Sequence, residues 1–254
     1  MFRHIVAALV AFAWCLRHQL TLGIKTNEYK RYWAKAINLA LCYQGFASNS
    51  KMSSSIGAGK AAFFCCAYDV ITDWRDFNPQ LFGCFESLVR RSLNTAEADM
   101  AINLYQQEKS GQLEESGLSR GFVALKFVTK IMGSESFIQQ RTDFHHFGIV
   151  MQIADDVLDY EEDQREHKTN SLLSEKRNDY LLMLVDFPVE KTKAILPHGF
   201  VLWKVVAAAQ NKAKHMLSSS NRLRNFGPTV DVNNSPYHNV DQKDCDKVLC
   251  NICK

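Results

Sequence analysis

The chain has 254 residues, of which 46% are hydrophobic and 22% are charged. This composition is typical of a globular protein and excludes collagen-like, low-complexity and wholly disordered chains. The 30 Lys and Arg residues against 27 Asp and Glu residues give a formal net charge of +3, which is too balanced for a dedicated nucleic-acid-binding protein.

Hydrophobic periodicity predicts helices along nearly the whole chain, and no sequence signal for a β-hairpin is found. The apolar run at residues 5–16 is shorter than the roughly 20 residues needed to cross a bilayer, so we expect no integral membrane segment. The predicted helices lie at about residues 3–20, 27–47, 56–77, 80–92, 95–109, 118–132, 135–165, 175–186 and 198–224.

The same pattern predicts one domain boundary. We predict one all-α domain over residues 1–227 and a poorly ordered, cysteine-containing tail over residues 228–254. A single Cys-x-x-Cys pair, Cys250 and Cys253, is weak evidence for zinc, which usually takes four ligands. The adjacent pair Cys65 and Cys66 is awkward for a disulfide-linked scaffold and favours a reducing, cytoplasmic compartment.

The most informative segment runs from Gln152 to Asp163 and contains four aspartates. At about 100° per residue, Asp159 lies about 40° and Asp163 about 80° from Asp155 on a helical wheel, with Gln152 between them. Stacked like charges destabilise a helix unless a cation neutralises them, and Mg²⁺ prefers oxygen ligands of this kind. An EF-hand does not fit, because Tyr160 stands where that loop needs glycine. A solvated acidic face is the simpler alternative.

A second acidic stripe precedes it, with Asp69, Asp73 and Asp76 within about 60° on one helix face. Small residues, Ala62 and Cys65, lie above it on the same side and leave room for a ligand. Two such stripes suggest facing metal platforms at the mouth of a cavity in a helical bundle.

Carboxylates above an apolar pocket suit a ligand with a diphosphate head and a hydrocarbon tail. Asp69, Asp73, Asp155 and Asp159 are the predicted catalytic residues. With Asp156 and Asp163 they form the predicted metal-binding set. The predicted substrate-binding residues are Gln152, Arg75, Lys126, Arg141 and Lys168, of which the four cations would hold the departing diphosphate.

These motifs resemble those of the class I isoprenoid synthases. The sequence from Gln152 to Asp159 is similar to the Gln-x-x-Asp-Asp-x-x-Asp motif of trans-prenyltransferases. The spacing of Asp155, Asp159 and Asp163 resembles the second metal motif of class I terpene cyclases. Asp69-x-x-x-Asp73 is similar to the first motif of squalene and phytoene synthases.

The resemblance implies an antiparallel α-helical bundle with a central cavity and a cofactor set of three Mg²⁺ ions with bound diphosphate. It implies a terpene synthase that ionises a prenyl diphosphate and cyclises or rearranges the cation. No Gly-Gly-Lys-Arg element for isopentenyl diphosphate is evident, which favours cyclisation over chain elongation. The alternatives are a prenyltransferase that condenses two prenyl units and a non-catalytic partner subunit. A homodimer is compatible with either.

Overall fold

The computed structural model describes residues 2–47, 52–72, 79–109, 118–140, 143–166, 170–196 and 199–225. These residues form α-helices joined by short turns and contain no β-strand, which confirms the predicted all-α class. The helices are α1 (Phe2–His18), α2 (Tyr29–Tyr43), α3 (Met52–Thr72), α4 (Pro79–Ser92), α5 (Thr95–Lys109), α6 (Leu118–Ile131), α7 (Glu135–Gln139), α8 (Phe144–Glu166), α9 (Arg177–Val185), α10 (Val189–Ile195) and α11 (Phe200–Asn225). Single 3₁₀ turns lie at Thr26–Glu28, Gln44–Phe46 and Ser171–Leu173.

The chain divides into two units, residues 1–214 and residues 215–254. In the second unit the structure describes residues 215–225 alone, and they are helical. The predicted boundary at residue 227 and the predicted tail lie outside the described residues. No helix in the described ranges is both long and apolar enough to span a bilayer.

Helix α3 is the centre of the first unit. It is buried along almost its whole length, and residues 54–62 are mostly Ser, Gly and Ala. A helix that is apolar on all sides is expected in the interior, and small side chains allow its neighbours to approach closely. At Gly59 an added Cβ would lie 2.7 Å from Val10 Cβ of α1, and at Gly57 it would lie 2.8 Å from Met132 Cα just after α6. Helix α3 therefore lies between α1 and the end of α6, and its last turn positions Asp69.

Helices α6 and α8 cross at a second pair of glycines. An added Cβ at Gly148 would lie 2.6 Å from Phe122 Cα, and one at Gly121 would lie 2.5 Å from Gln152 Cβ. Phe147, one residue away, packs against Phe46, Phe187 and Trp203 in the core. This crossing fixes the position of the α8 turn that precedes the aspartates.

The structure differs from the predicted helices in two places. The helix predicted over 135–165 is interrupted, because α7 ends at Gln139 and Asp143 starts a new helix by accepting a hydrogen bond from the His146 amide (3.1 Å). Sequence periodicity did not indicate α10, a short helix that begins after Pro188 and ends before Pro197. Its position agrees with the rule that proline is tolerated at the start of a helix but not in its interior.

The α6–α8 crossing gives a stability test. Gly121→Ala should lower the free energy of unfolding by about 1–3 kcal/mol, because the methyl group would overlap backbone and Cβ atoms of α8. Gly83→Ala is the matched control, since nothing lies within 4 Å of a Cβ there and alanine should stabilise α4 by about 0.5–1 kcal/mol. Urea denaturation followed by circular dichroism measures both. Equal effects of the two substitutions would contradict the close crossing.

Candidate functional site

The carboxylate of Asp69 lies at the end of the buried helix α3 and forms an ion pair. Lys35 Nζ of α2 lies 2.7 Å from Asp69 Oδ2. Both side chains are partly accessible to solvent, Asp69 less so than Lys35. Asp69 therefore has its own cation, supplied by a neighbouring helix.

Asp155 and Asp159 project from α8 toward the same lysine. Both side chains are accessible to solvent, yet the protein around them removes enough water to raise the pKa of each. Repulsion between the two carboxylates raises the pKa of Asp155 further, and the charge of Asp69 adds to it, whereas Lys35 lowers it. Side chains in a cleft between helices stay accessible to solvent although protein atoms surround them closely, and this partial desolvation raises the pKa of a carboxyl group. We call the group formed by Lys35, Asp69, Asp155 and Asp159 the carboxylate cleft.

Lys35 remains charged in this cleft. Desolvation alone would lower the pKa of Lys35, but the negative charges of Asp69 and Asp155 outweigh it, and the net shift is upward. Three carboxylates face Lys35, and the charge of Lys212 also lowers the pKa of Asp159, so the carboxylates still outnumber these two ammonium groups when all the acids are ionised. An excess of carboxylates in a partly desolvated cleft is a chemical environment suited to a divalent cation.

The wall of the cleft next to the aspartates is uncharged. Burial raises the pKa of both Cys42 and Cys65 to about 12, and it raises the pKa of Tyr43 as well. Asp155 raises the pKa of Cys42 and Tyr43 electrostatically, so these side chains lie near α8, and Tyr43 is hydrogen-bonded to Cys65. The three side chains stay neutral at physiological pH and form a partly apolar lining.

Asp156 faces away from the cleft and has a structural role. It is buried, and its carboxylate accepts hydrogen bonds from Gln152 Nε2 (2.9 Å) and from the Ser171 amide (3.0 Å) and hydroxyl. Asn170 donates to the Asp156 carbonyl at 2.8 Å. Oδ2 of Asp156 thus holds the turn at Ser171–Leu173 against α8, while Oδ1 is occupied by Gln152 of the same helix. We therefore leave Asp156 out of the proposed ligand set and assign Gln152 to orienting it.

The end of the acidic helix is held by polar contacts from three directions. Asn170 Nδ2 donates to Asp163 Oδ2 at 2.9 Å, and Arg31 of α2 pairs with Glu162 at 2.5 Å. Lys212 of α11 pairs with Glu161 and donates to the Leu158 carbonyl at 3.1 Å. These contacts support the acidic segment at the margin of the cleft, and Asp163 is one of the supported residues.

Of the remaining predicted residues, one lies within the described ranges and four lie outside them. Lys126 is a half-buried residue of α6, and among the described residues Lys35 pairs with Asp69. The predictions that fall outside the described residues are Asp73, Arg75, Arg141 and Lys168. Of the predicted catalytic set, the structure brings together Asp69, Asp155 and Asp159.

Sequence analysis missed Lys35 and Arg31. Their signal was present, because the two cations are spaced i, i+4 on α2 and therefore share one helix face, as the aspartates do on α8. Without the order of helices in space, a basic pair at this spacing is indistinguishable from ordinary surface charge. Spacing alone therefore could not match the basic face to the acidic one.

The fit to Mg²⁺ is partial. Within the described ranges, no three His, Cys, Asp or Glu side chains are already arranged to hold a metal ion. Mg²⁺ commonly binds through one or two carboxylates, with waters and phosphate oxygens completing its shell. Asp155 and Asp159 from one wall and Asp69 from the other supply donors of this kind. The donor set suits a cation that arrives together with a phosphate ligand.

No family model, no curated protein and no solved structure matches this chain.

The raised pKa of Asp155 predicts a stabilising substitution. A carboxyl group with a raised pKa in the folded state lowers stability as the pH rises from its ordinary value of 3.8 through the raised one. Asp155→Asn should therefore increase the free energy of unfolding at about pH 8, with the gain shrinking toward about pH 4. Urea titrations at both pH values measure the effect.

Glu175→Gln is the matched control for Asp155→Asn, because Glu175 is an exposed carboxylate on the turn before α9. We expect little change in its stability at either pH. A destabilised Asp155→Asn protein at about pH 8 would contradict the electrostatic description of the cleft.

Proposed function

We propose that the carboxylate cleft binds a prenyl diphosphate together with Mg²⁺ and that the protein is a class I terpene synthase with a helical-bundle cavity. The observation that carries the proposal is the convergence of Asp69 from α3 with Asp155 and Asp159 from α8 around Lys35. Acidic groups on two helices beside a neutral lining match a ligand with a charged head and an apolar tail.

Each group in the cleft has a chemical role in this proposal. Asp69 would hold Mg²⁺ from one wall and Asp155 with Asp159 from the other. When bound, Mg²⁺ supplies charge neutralisation that makes diphosphate a leaving group. The Lys35 ammonium can exchange its Asp69 partner for a diphosphate oxygen and stabilise the developing negative charge.

The neutral lining suits the cation that forms when the allylic carbon–oxygen bond breaks and its electron pair leaves with diphosphate. The face of the Tyr43 ring can stabilise a carbocation. Because the pKa values of Cys42 and Cys65 are raised to about 12, these thiols stay protonated and are poor nucleophiles toward the cation. Transfer of a proton from the rearranged cation to the released diphosphate would then give a neutral hydrocarbon.

A non-catalytic partner subunit is the second candidate, and one observation favours it. Lys35 already pairs with Asp69, where the proposed enzyme would bind its metal ion. In a protein that no longer binds a metal ion, the Lys35 ammonium can offset part of the negative charge of the cleft without any ligand. Condensation of two prenyl units is the third candidate and uses the same cleft with a second substrate.

The test incubates purified protein and Mg²⁺ with C10, C15 and C20 prenyl diphosphates, each with and without isopentenyl diphosphate. We expect diphosphate release and a hydrocarbon from one allylic substrate alone, because the cleft is proposed to ionise that substrate. Asp155→Ala and Asp69→Ala should lower the rate by at least about 100-fold, the scale of losing one preorganised electrostatic contact. Glu175→Gln is the control and should retain full activity.

The alternatives give different results. A hydrocarbon with twice the carbon count would indicate head-to-head condensation. Longer diphosphates that form only when isopentenyl diphosphate is added to the allylic substrate would indicate elongation. No turnover of any substrate by protein that is folded by circular dichroism would contradict the enzyme and favour the partner subunit.

A further inference from the structure

An apolar stripe runs along the outer face of α1 and has no role in the carboxylate cleft. Ala7, Ala11 and Cys15 form the buried face of this helix. The opposite face consists of residues at spacings of three and four, and its large side chains are highly exposed. These are Phe2 (67%), Ile5 (47%), Leu9 (60%), Leu16 (44%) and Leu20 (77%), the last of them just past the helix end.

A second helix contacts the buried side of α1 near its amino-terminal end. The ring of Phe200, the first residue of α11, lies 4.6 Å from the ring of His4 and is itself about half exposed. The large apolar side chains of the stripe remain exposed along one face of α1, and a concentration of exposed apolar side chains of this kind marks an interaction site.

The charged residues of the segment that carries the stripe are all of one sign. Residues 2–27 include Arg3, Arg17 and Lys25 and contain no Asp or Glu. Arg91 of α4 lies close enough to His18 to lower its pKa, after the effects of burial and Arg17. Arg17 therefore lies near the carboxyl-terminal end of the stripe, Arg91 lies on the side of His18, and Arg3 lies near the other end.

The charge distribution argues against a second copy of the chain as the partner. Antiparallel pairing of two α1 helices would bring Arg3 near Arg17 of the other copy, and parallel pairing would bring equal charges together. No acidic side chain within residues 2–27 could compensate either arrangement. An apolar face with basic flanks is instead the pattern of a helix that lies in the plane of an anionic membrane surface.

We propose that α1 binds the surface of a membrane containing anionic lipids, with its apolar stripe in the acyl-chain boundary and the flanking arginines at the headgroups. Helix α1 has 17 residues, so it is about 26 Å long and too short to span the hydrocarbon core. The proposal is independent of the chemistry assigned to the carboxylate cleft. The surface of α1 is apolar and basic, whereas the carboxylate cleft is acidic.

Vesicle flotation of the full chain tests the proposal. The probes are phosphatidylcholine vesicles and vesicles in which part of this lipid is replaced by phosphatidylglycerol. We expect binding to the anionic vesicles, weakened by salt, and little binding to the neutral ones. Arg17→Gln and Arg91→Gln should each weaken binding roughly fivefold, the effect expected of one basic residue near an anionic surface.

Leu9→Glu and Leu16→Glu place a charge in the stripe and should abolish flotation. Leu173→Glu and Leu182→Glu are the matched controls, because these leucines are exposed to a similar degree but lie on the 3₁₀ turn Ser171–Leu173 and on α9. Thermal unfolding verifies that each variant is folded. The controls should bind as the unmodified protein does.

Three outcomes would overturn the proposal. They are no flotation of the folded protein, equal binding to neutral and anionic vesicles, and equal loss of binding in the stripe and control variants. Light scattering adds a fourth, namely a dimer that Leu9→Glu converts to a monomer, because the stripe would then be covered by a second copy.

Discussion

The site depends on the cost of placing three carboxylates in a partly desolvated cleft. Asp155 and Asp159 repel each other across one helical turn, and Asp69 adds a third negative charge from another helix. Lys35 compensates one of these charges through its 2.7 Å ion pair with Asp69. Desolvation is the main cause of the raised pKa values of both α8 aspartates, and repulsion from neighbouring carboxylates raises them further. A chain that retains such repulsion in its folded state has a site where a cation gains binding energy.

The fold keeps these charges in place through close helix packing. Gly57 and Gly59 allow α1 and the end of α6 to approach α3, which ends at the Asp69 turn. Gly121 and Gly148 do the same for α6 and α8, which carries Asp155 about two turns after Gly148. The hydrogen bonds of Asp156 to Ser171 then hold the following turn. The carboxylates therefore project from rigid elements, as preorganised binding sites require.

Much of this arrangement was predictable from the sequence. Helical periodicity predicted most helices, and i, i+4 spacing predicted that Asp155 and Asp159 share a face. The sequence did not distinguish these residues from Asp156, because a neighbour about 100° away on the wheel can point into a cleft or into the core. The hydrogen bonds of Asp156 separate it from the cleft residues, because Gln152 and Ser171 donate to its two carboxylate oxygens. The pairing of Lys35 with Asp69 joins residues 34 positions apart and required the packing of α2 on α3.

The most direct test of the central claim measures whether Lys35 and a divalent cation compete for the same carboxylates. Electron paramagnetic resonance of Mn²⁺, as a probe for Mg²⁺, would follow metal uptake by the purified protein with and without inorganic diphosphate. We expect Mn²⁺ uptake that requires Asp155 and Asp69 and is enhanced by diphosphate. In Lys35→Met, which frees Asp69, uptake measured without diphosphate should become tighter. Mn²⁺ uptake that is absent, or that is unchanged by all three substitutions, would contradict the central claim.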